Sequence, residues 1–239
     1  TIGHMMGIYQ DNIAIENQDR ADAKEMEDKY RELEKDMIRS RLVEMANVHT
    51  AEEFGIDVPE NAYTRIVAAL DDNDRWEEVA EEDWFRAAQR EAEERDFFHW
   101  RLAFPEAFYD IEGEQKDNTG FDVVVGNPPY VSNWQLTEVD EELPDIIEGM
   151  YPDVTTGHWD LYVPFAYRGA ELTRDNGYHS FITPNALATE KYGVDLREYF
   201  INKCNMKQLV TFEEFQVFDD VDRQYLIYIV SPQDVDGEC

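Results

Sequence analysis

One run constrains this chain more than any other: Phe121-Asp122-Val123-Val124-Val125-Gly126, stopped at once by Asn127-Pro128-Pro129-Tyr130. Consecutive β-branched residues resist helix and suit a strand buried on both faces. The glycine ends the run, and two successive prolines forbid both a helix and a continued ladder. Residues 127–130 therefore form a rigid turn at the carboxyl end of a buried strand. In an open α/β sheet, ligands bind at that end.

The downstream pattern fits such a sheet. Residues 132–158 read as a loop, punctuated by Pro144, Gly149, Pro152 and Gly157. A helix is predicted over 160–173 with Asp160 as its N-cap, ended by Asp175-Asn176-Gly177. After it come a strand over 178–183, a helix over 193–203 and strands over 206–212 and 224–230. Strands alternating with helices imply an open α/β sheet with mostly parallel strands.

Upstream of residue 97 the texture is helical. Met26, Tyr30, Leu33, Met37, Ile38, Leu42 and Met45 form a 3–4 spaced stripe that predicts a long helix over 19–47, packed on its own domain. Further helices are predicted over 62–70 and 75–95, after a turn at Val58-Pro59-Glu60. Residues 97–108 form a dense aromatic cluster, in which His99 reads as packed and not catalytic. The division expected is a helical arm over 1–96 and a catalytic domain over 97–239. Gly3-His4-Met5 resembles a cloning remnant, so no structural expectation attaches to residues 1–7.

The tetrapeptide carries chemistry. Two prolines remove two N–H donors and leave carbonyl oxygens free to accept, and the Asn127 amide adds another acceptor. Tyr130 adds a flat aromatic face. A planar group bearing an NH₂ can donate to the Asn127 oxygen and the Pro128 carbonyl while stacking on Tyr130. Fixed acceptors stabilise positive charge developing on that nitrogen, the inverse of an oxyanion hole. Taken alone, Asn-Pro-Pro is also simply a rigid strand-to-loop turn.

Several ordered blocks add to it. Residues 121–131 are similar to motif IV of N6-adenine DNA methyltransferases of the gamma arrangement, nearest to the fused restriction–modification (type IIG) and phage-defence methylases. Gly157-His158-Trp159-Asp160-Leu161-Tyr162-Val163-Pro164-Phe165 resembles their motif V. Residues 175–185 resemble motif VI, and Val217-Phe218-Asp219-Asp220 leading into 225–230 resembles motif VIII. Phe98-His99-Trp100 and Phe104-Pro105-Glu106-Ala107-Phe108 match a stretch these families carry before motif IV. The resemblance spans roughly 97–232. It implies the C-terminal half of a Rossmann-like class I methyltransferase sheet preceded by an α-helical insertion. It also implies S-adenosylmethionine as cofactor and double-stranded DNA with a flipped adenine as substrate.

By that resemblance Asn127, Pro128, Pro129 and Tyr130 are the catalytic residues. Asn127 and Pro128 hold the target amine, Tyr130 and Phe218 bind the base, and Phe165 and Asn127 bind the cofactor. From the residues alone, Phe165 at helical spacing with Leu161 also reads as core, and Phe218 as an ordinary apolar residue before a strand. His158 and Trp159 read equally as pocket wall or helix start. The same tetrapeptide also serves methylation of protein glutamine amides and of RNA guanine, and a non-catalytic methylase-like binding module is a further reading.

One departure stands out: none of the twelve glycines forms Gly-x-Gly, and no strand-then-glycine turn precedes residue 97. The expectation is a fragment that holds the target-base half and is inactive by itself. The cofactor loop and a target-recognition domain would come from the same or another chain.

Charge bears on the setting. The chain holds 54 acidic against 21 basic residues, a formal charge of −33, spread along its length, and only 7 of the basic residues are lysine. A uniformly acidic, lysine-poor surface suits a salt-saturated cytoplasm, where counterions screen self-repulsion, and so points to an extreme halophile. No apolar run approaches the roughly 18–20 residues of a membrane span. With two cysteines, Cys204 and Cys239, no disulfide framework or cysteine-based zinc site is available. The chain reads as a cytoplasmic protein without membrane or metal.

Overall fold

A computed structural model describes residues 3, 6, 7, 36–212 and 224–233. They fall into two compact units, within Thr1–Asp117 and Asn118–Cys239. The aromatic stretch after residue 97 therefore groups with the helical unit. Among the described residues no helix is long and apolar enough to cross a membrane.

The first unit is helical: α1 (Met37–Glu53), α2 (Ala62–Ala69), α3 (Asn73–Ala80), α4 (Asp83–Glu94) and the short α5 (Trp100–Ala103) and α6 (Pro105–Phe108). Asp36 caps α1 by accepting from the Arg39 backbone N–H at 3.0 Å. The part of the long predicted helix before residue 36 lies outside the described residues. The rest continues past 47 to Glu53.

The helix predicted over 75–95 is two helices, broken where Glu82 turns extended (φ −69°, ψ 140°). The break has a packing reason. Trp76 and Phe85 are both buried and meet edge to face at 5.8 Å. Nine positions apart on one helix, at about 100° per residue, they would face opposite ways. Neither glycine nor proline marks the break in the sequence. Buried Arg41 ties the earlier corner between α2 and α3. It donates to the Leu70 carbonyl and to Asn73 Oδ1, each at 2.6 Å, and lies over the Trp76 ring.

The second unit carries the sheet. Its elements are β1 (Phe121–Gly126), α7 (Asn133–Leu136), α8 (Leu143–Met150), α9 (Tyr162–Glu171), β2 (Thr173–Pro184), α10 (Ala186–Thr189), α11 (Val194–Lys203), β3 (Cys204–Phe212) and β4 (Tyr225–Pro232). Two short helices thus occupy the region read as loop. The strand order is β1-β2-β4-β3. β1 is parallel to β2, whereas β4 is antiparallel to both neighbours. Three strands run one way, but β4 inserts against them, so two of the three pairings depart from the parallel expectation. A hydrophobic run reads alike in either direction, and only its pairing on both sides reveals its sense.

One face of this sheet is closed. Val124, Phe181, Leu226, Tyr228 and Val230 pack with Tyr162, Val163, Ala166 and Ala170 of α9 and Leu196 and Phe200 of α11. The chain approaches closest at Gly169, where a Cβ would stand 2.5 Å from the His179 ring. At β1 the other face is open among the described residues. Val123 is 57% exposed and Val125 76%, and in register they lie beside Tyr178 and Ser180. β1 is therefore not the buried strand its composition predicts. The β-branched run specified a strand, but burial depends on what covers it.

His179 lies in the closed face with no exposure, its Nε2 2.8 Å from the Tyr228 hydroxyl and its ring against Phe181 and Phe200. Burial pushes the imidazole down to about 4. The unfolded chain, near 6.5, takes up its proton first as pH falls. Stability that is full above about pH 6.5 is therefore lost as pH drops towards 4. Between pH 7 and pH 5 this should cost about 2 kcal/mol. Urea titrations at both pH values should show that increment in the wild type and not in His179→Phe. Gly169→Ala should destabilise by about 1–2 kcal/mol, because crowding of His179 outweighs the gain in helix propensity. Thermal unfolding at neutral pH would read it directly.

Candidate active site

β1 delivers residues 127–130 to the carboxyl end of the sheet, beside the last residues of β2. Pro128 is buried, Asn127 and Pro129 are exposed, and Tyr130 is half-buried. The turn thus hides its stiffening proline and leaves the amide open. The Tyr130 hydroxyl lies 2.9 Å from the Ile182 carbonyl of β2 and also faces Asn127 Oδ1. Its ring meets Tyr162 edge to face at 6.3 Å and Tyr225 at 5.7 Å. Burial, with Tyr225 beside it, pushes the phenol up to about 12, so it stays protonated at any working pH.

The chain after this turn is laced to the segment before α9. Leu161 N–H donates to the Val131 carbonyl at 2.7 Å, and Asn133 N–H to the Trp159 carbonyl at 2.8 Å. Asn133 Nδ2 adds a bond to the Gly157 carbonyl at 3.1 Å. Ser132 and Gln135 form a capping box that starts α7. Its Ser-x-x-Gln signature is present in the sequence and would have placed that helix. The blocks similar to motifs IV and V are therefore held together by backbone bonds, which no side-chain pattern could announce.

Behind Tyr130 lies a second tier that the sequence did not single out. Tyr162 is fully buried, with its hydroxyl 3.0 Å from that of Tyr192, and Tyr192 donates to Asp160 Oδ2 at 3.2 Å. Burial raises both phenols. Asp160 is thus not the N-cap expected of it: α9 begins at Tyr162 after Leu161, without a side-chain cap. Asp160 instead directs its carboxylate to Tyr192, which approaches from another segment.

The remaining candidates are more scattered. Trp159 is core, donating its indole N–H to Glu148 Oε1 at 2.8 Å, whereas His158 is exposed. Phe165, on α9, is 47% exposed and so is not the core residue that its spacing with Leu161 would make it. Phe218 lies outside the described residues. His99 is half-buried in the helical unit with Nε2 2.7 Å from Asn47 Oδ1, and burial lowers its pKa, in keeping with a packed role. The structure therefore brings Asn127, Pro128 and Tyr130 together with Ile182, Tyr162 and Tyr225. Phe165 lies one turn along α9 from Tyr162.

The chain is 27% identical over 113 residues to the type II restriction enzyme and methyltransferase RM.Eco57I of Escherichia coli, covering 47% of this chain and 11% of that protein. It is 29% identical over 128 residues to the type II methyltransferase M.BstVI of Geobacillus stearothermophilus, covering 51% and 22%. With M.HincII of Haemophilus influenzae it shares 26% identity over 113 residues, covering 47% and 22%. The chain thus spans a minor part of each relative's length. A class I S-adenosylmethionine-dependent methyltransferase from Listeria monocytogenes aligns in structure at a TM-score of 0.37 and 14% identity, covering 99% of this chain and 82% of that one. The profile of the Eco57I restriction-modification methylases matches residues 52–218. That match takes in well over half of the chain, including part of the helical unit and the 127–130 turn, and the chain belongs to the Eco57I restriction-modification methylase family.

Proposed function

We propose that this chain carries the target-base half of a DNA methyltransferase, acting on the N6 amine of an adenine flipped out of double-stranded DNA. The observation that carries this reading is the 127–130 turn. It leaves the Asn127 amide exposed while the Tyr130 hydroxyl is tied to the end of β2. An adenine amine is a poor nucleophile because its lone pair is delocalised into the ring. Asn127 and the Pro128 carbonyl would accept its two protons and stabilise the positive charge that develops on nitrogen. Pro129 would keep the turn rigid, and Tyr130, with Phe218, would hold the flipped base by stacking.

The cofactor this reading requires is S-adenosylmethionine, which when bound supplies an electrophilic methyl group. Two of the chain's residues suit that cofactor. The exposed Phe165 ring offers a face for an adenosine, and Asn127 an exposed amide. Displacement at a methyl carbon needs alignment and no covalent enzyme intermediate. The cofactor's glycine loop and the recognition of a DNA sequence would be supplied by further methylase sequence, on the same or another polypeptide. The open edge and open face of β1 suit such a neighbour. The acidic surface fits work at molar salt, where phosphate contacts release little counterion energy and base stacking carries more of the affinity.

Calorimetry with S-adenosylmethionine, in roughly molar KCl, would show whether the chain holds cofactor by itself. Our reading expects no binding by a folded chain, and binding once the upstream methylase sequence is joined to it. Methyl transfer to unmethylated duplex DNA should then yield N6-methyladenine. Asn127→Ala should slow it by about 100-fold or more, the scale of losing one charge-stabilising partner. Transfer to RNA or to a protein glutamine instead, or an undiminished rate in Asn127→Ala, would overturn the proposal.

A further inference from the structure

The Tyr130 hydroxyl faces two acceptors, the Asn127 side-chain oxygen and the Ile182 carbonyl. A phenol carries one proton, so it can donate to only one of them. The other lone pair would be left facing a second oxygen in a half-buried place. A carboxamide offers a resolution, because its two ends share a shape and differ only in hydrogen bonding. Rotated half a turn about its terminal bond, Asn127 presents an N–H to the Tyr130 oxygen. The phenol proton then goes to Ile182, and all three groups are satisfied in one directional chain.

That rotation also acts on the other side of the amide. Asn127 Oδ1 then points away from Tyr130, and the residue is exposed. In the unrotated orientation the amide would meet an incoming amine with its own NH₂, donor against donor. It would then oppose the charge it is meant to stabilise.

We propose that the Tyr130 hydroxyl, pinned to the Ile182 carbonyl, sets the orientation of the Asn127 amide so that its oxygen faces the target amine. This rests on the reading of Asn127 as the acceptor for that amine. It makes Tyr130 a positioning residue as well as a stacking surface, and it accounts for a tyrosine where stacking alone needs only a ring. The anchor is firm: Ile182 is paired to Ile227 of β4, and the Tyr130 ring is flanked by Tyr162 and Tyr225. An aspartate at 127 could only accept, and would draw the phenol proton away from Ile182.

Two measurements test this separately from the methylation reading. In ¹⁵N NMR of this chain, the Asn127 side-chain amide, assigned by its loss in Asn127→Asp, should show hydrogen exchange about tenfold or more slower than exposed asparagines. In Tyr130→Phe it should exchange like an exposed one. An unprotected Asn127 amide in the wild type, or protection unchanged in Tyr130→Phe, overturns the proposal whatever the activity. In the methylating enzyme, Tyr130→Phe should lower kcat about tenfold, the scale of one neutral hydrogen bond, with KM for DNA and the fluorescence of a flipped 2-aminopurine unchanged. It should cost nothing further in an Asn127→Asp background. An unchanged kcat in Tyr130→Phe, or an equal loss in both backgrounds, also overturns it. If the chain joined to the upstream methylase sequence transfers no methyl group, the functional reading fails by itself while the exchange measurement still decides the orientation.

Discussion

The second unit depends on burying one face of a four-stranded sheet beneath α9 and α11. That contact holds large, fully buried side chains, among them Tyr162, Tyr228, Leu196 and His179. The approach of α9 to β2 is close enough that Gly169 has no room for a side chain. Interiors packed at this density transmit position faithfully. Tyr162, at the start of α9, stands against Tyr130, and β2 presents the Ile182 carbonyl to the same residue. The site inherits its geometry from the helix–sheet contact beneath it.

The opposite face obeys other rules. Val123 and Val125 belong to a run suited to burial on both sides, yet among the described residues only one side is covered. Among the described residues β1 also has an unpaired edge, a combination that proteins ordinarily cover. In the relatives the matched region is a minor part of a longer chain.

Much of the fold was legible in the sequence, and the misses share a cause. Local signals placed β1, the helix after residue 160 and the last two strands within a few residues, because β-branched runs and helical spacing act over short range. β2, by contrast, starts at Thr173 and takes in the Asp175-Asn176-Gly177 run read as a helix end. Signals of the same kind could have placed α7 through Ser132 and Gln135. What failed was long-range. The break at Glu82 answers to Trp76 meeting Phe85, the reversed sense of β4 to its two neighbours, and the role of Asp160 to Tyr192. Each of these depends on a partner distant in sequence or on a pairing, and no local pattern reports it.

The sequence by itself determined that a rigid Asn-Pro-Pro-Tyr turn succeeds a β-branched strand, because proline stereochemistry and β-branching act on the backbone where they stand. It also determined the composition of the site, an amide, a carbonyl and an aromatic ring within four residues. Only the tertiary structure decided which group the Tyr130 hydroxyl would meet. The Ile182 carbonyl lies 52 positions away and arrives through parallel pairing of β1 with β2. A hydrogen bond needs its partners within a few tenths of an ångström. Register and packing supply that precision, and composition cannot.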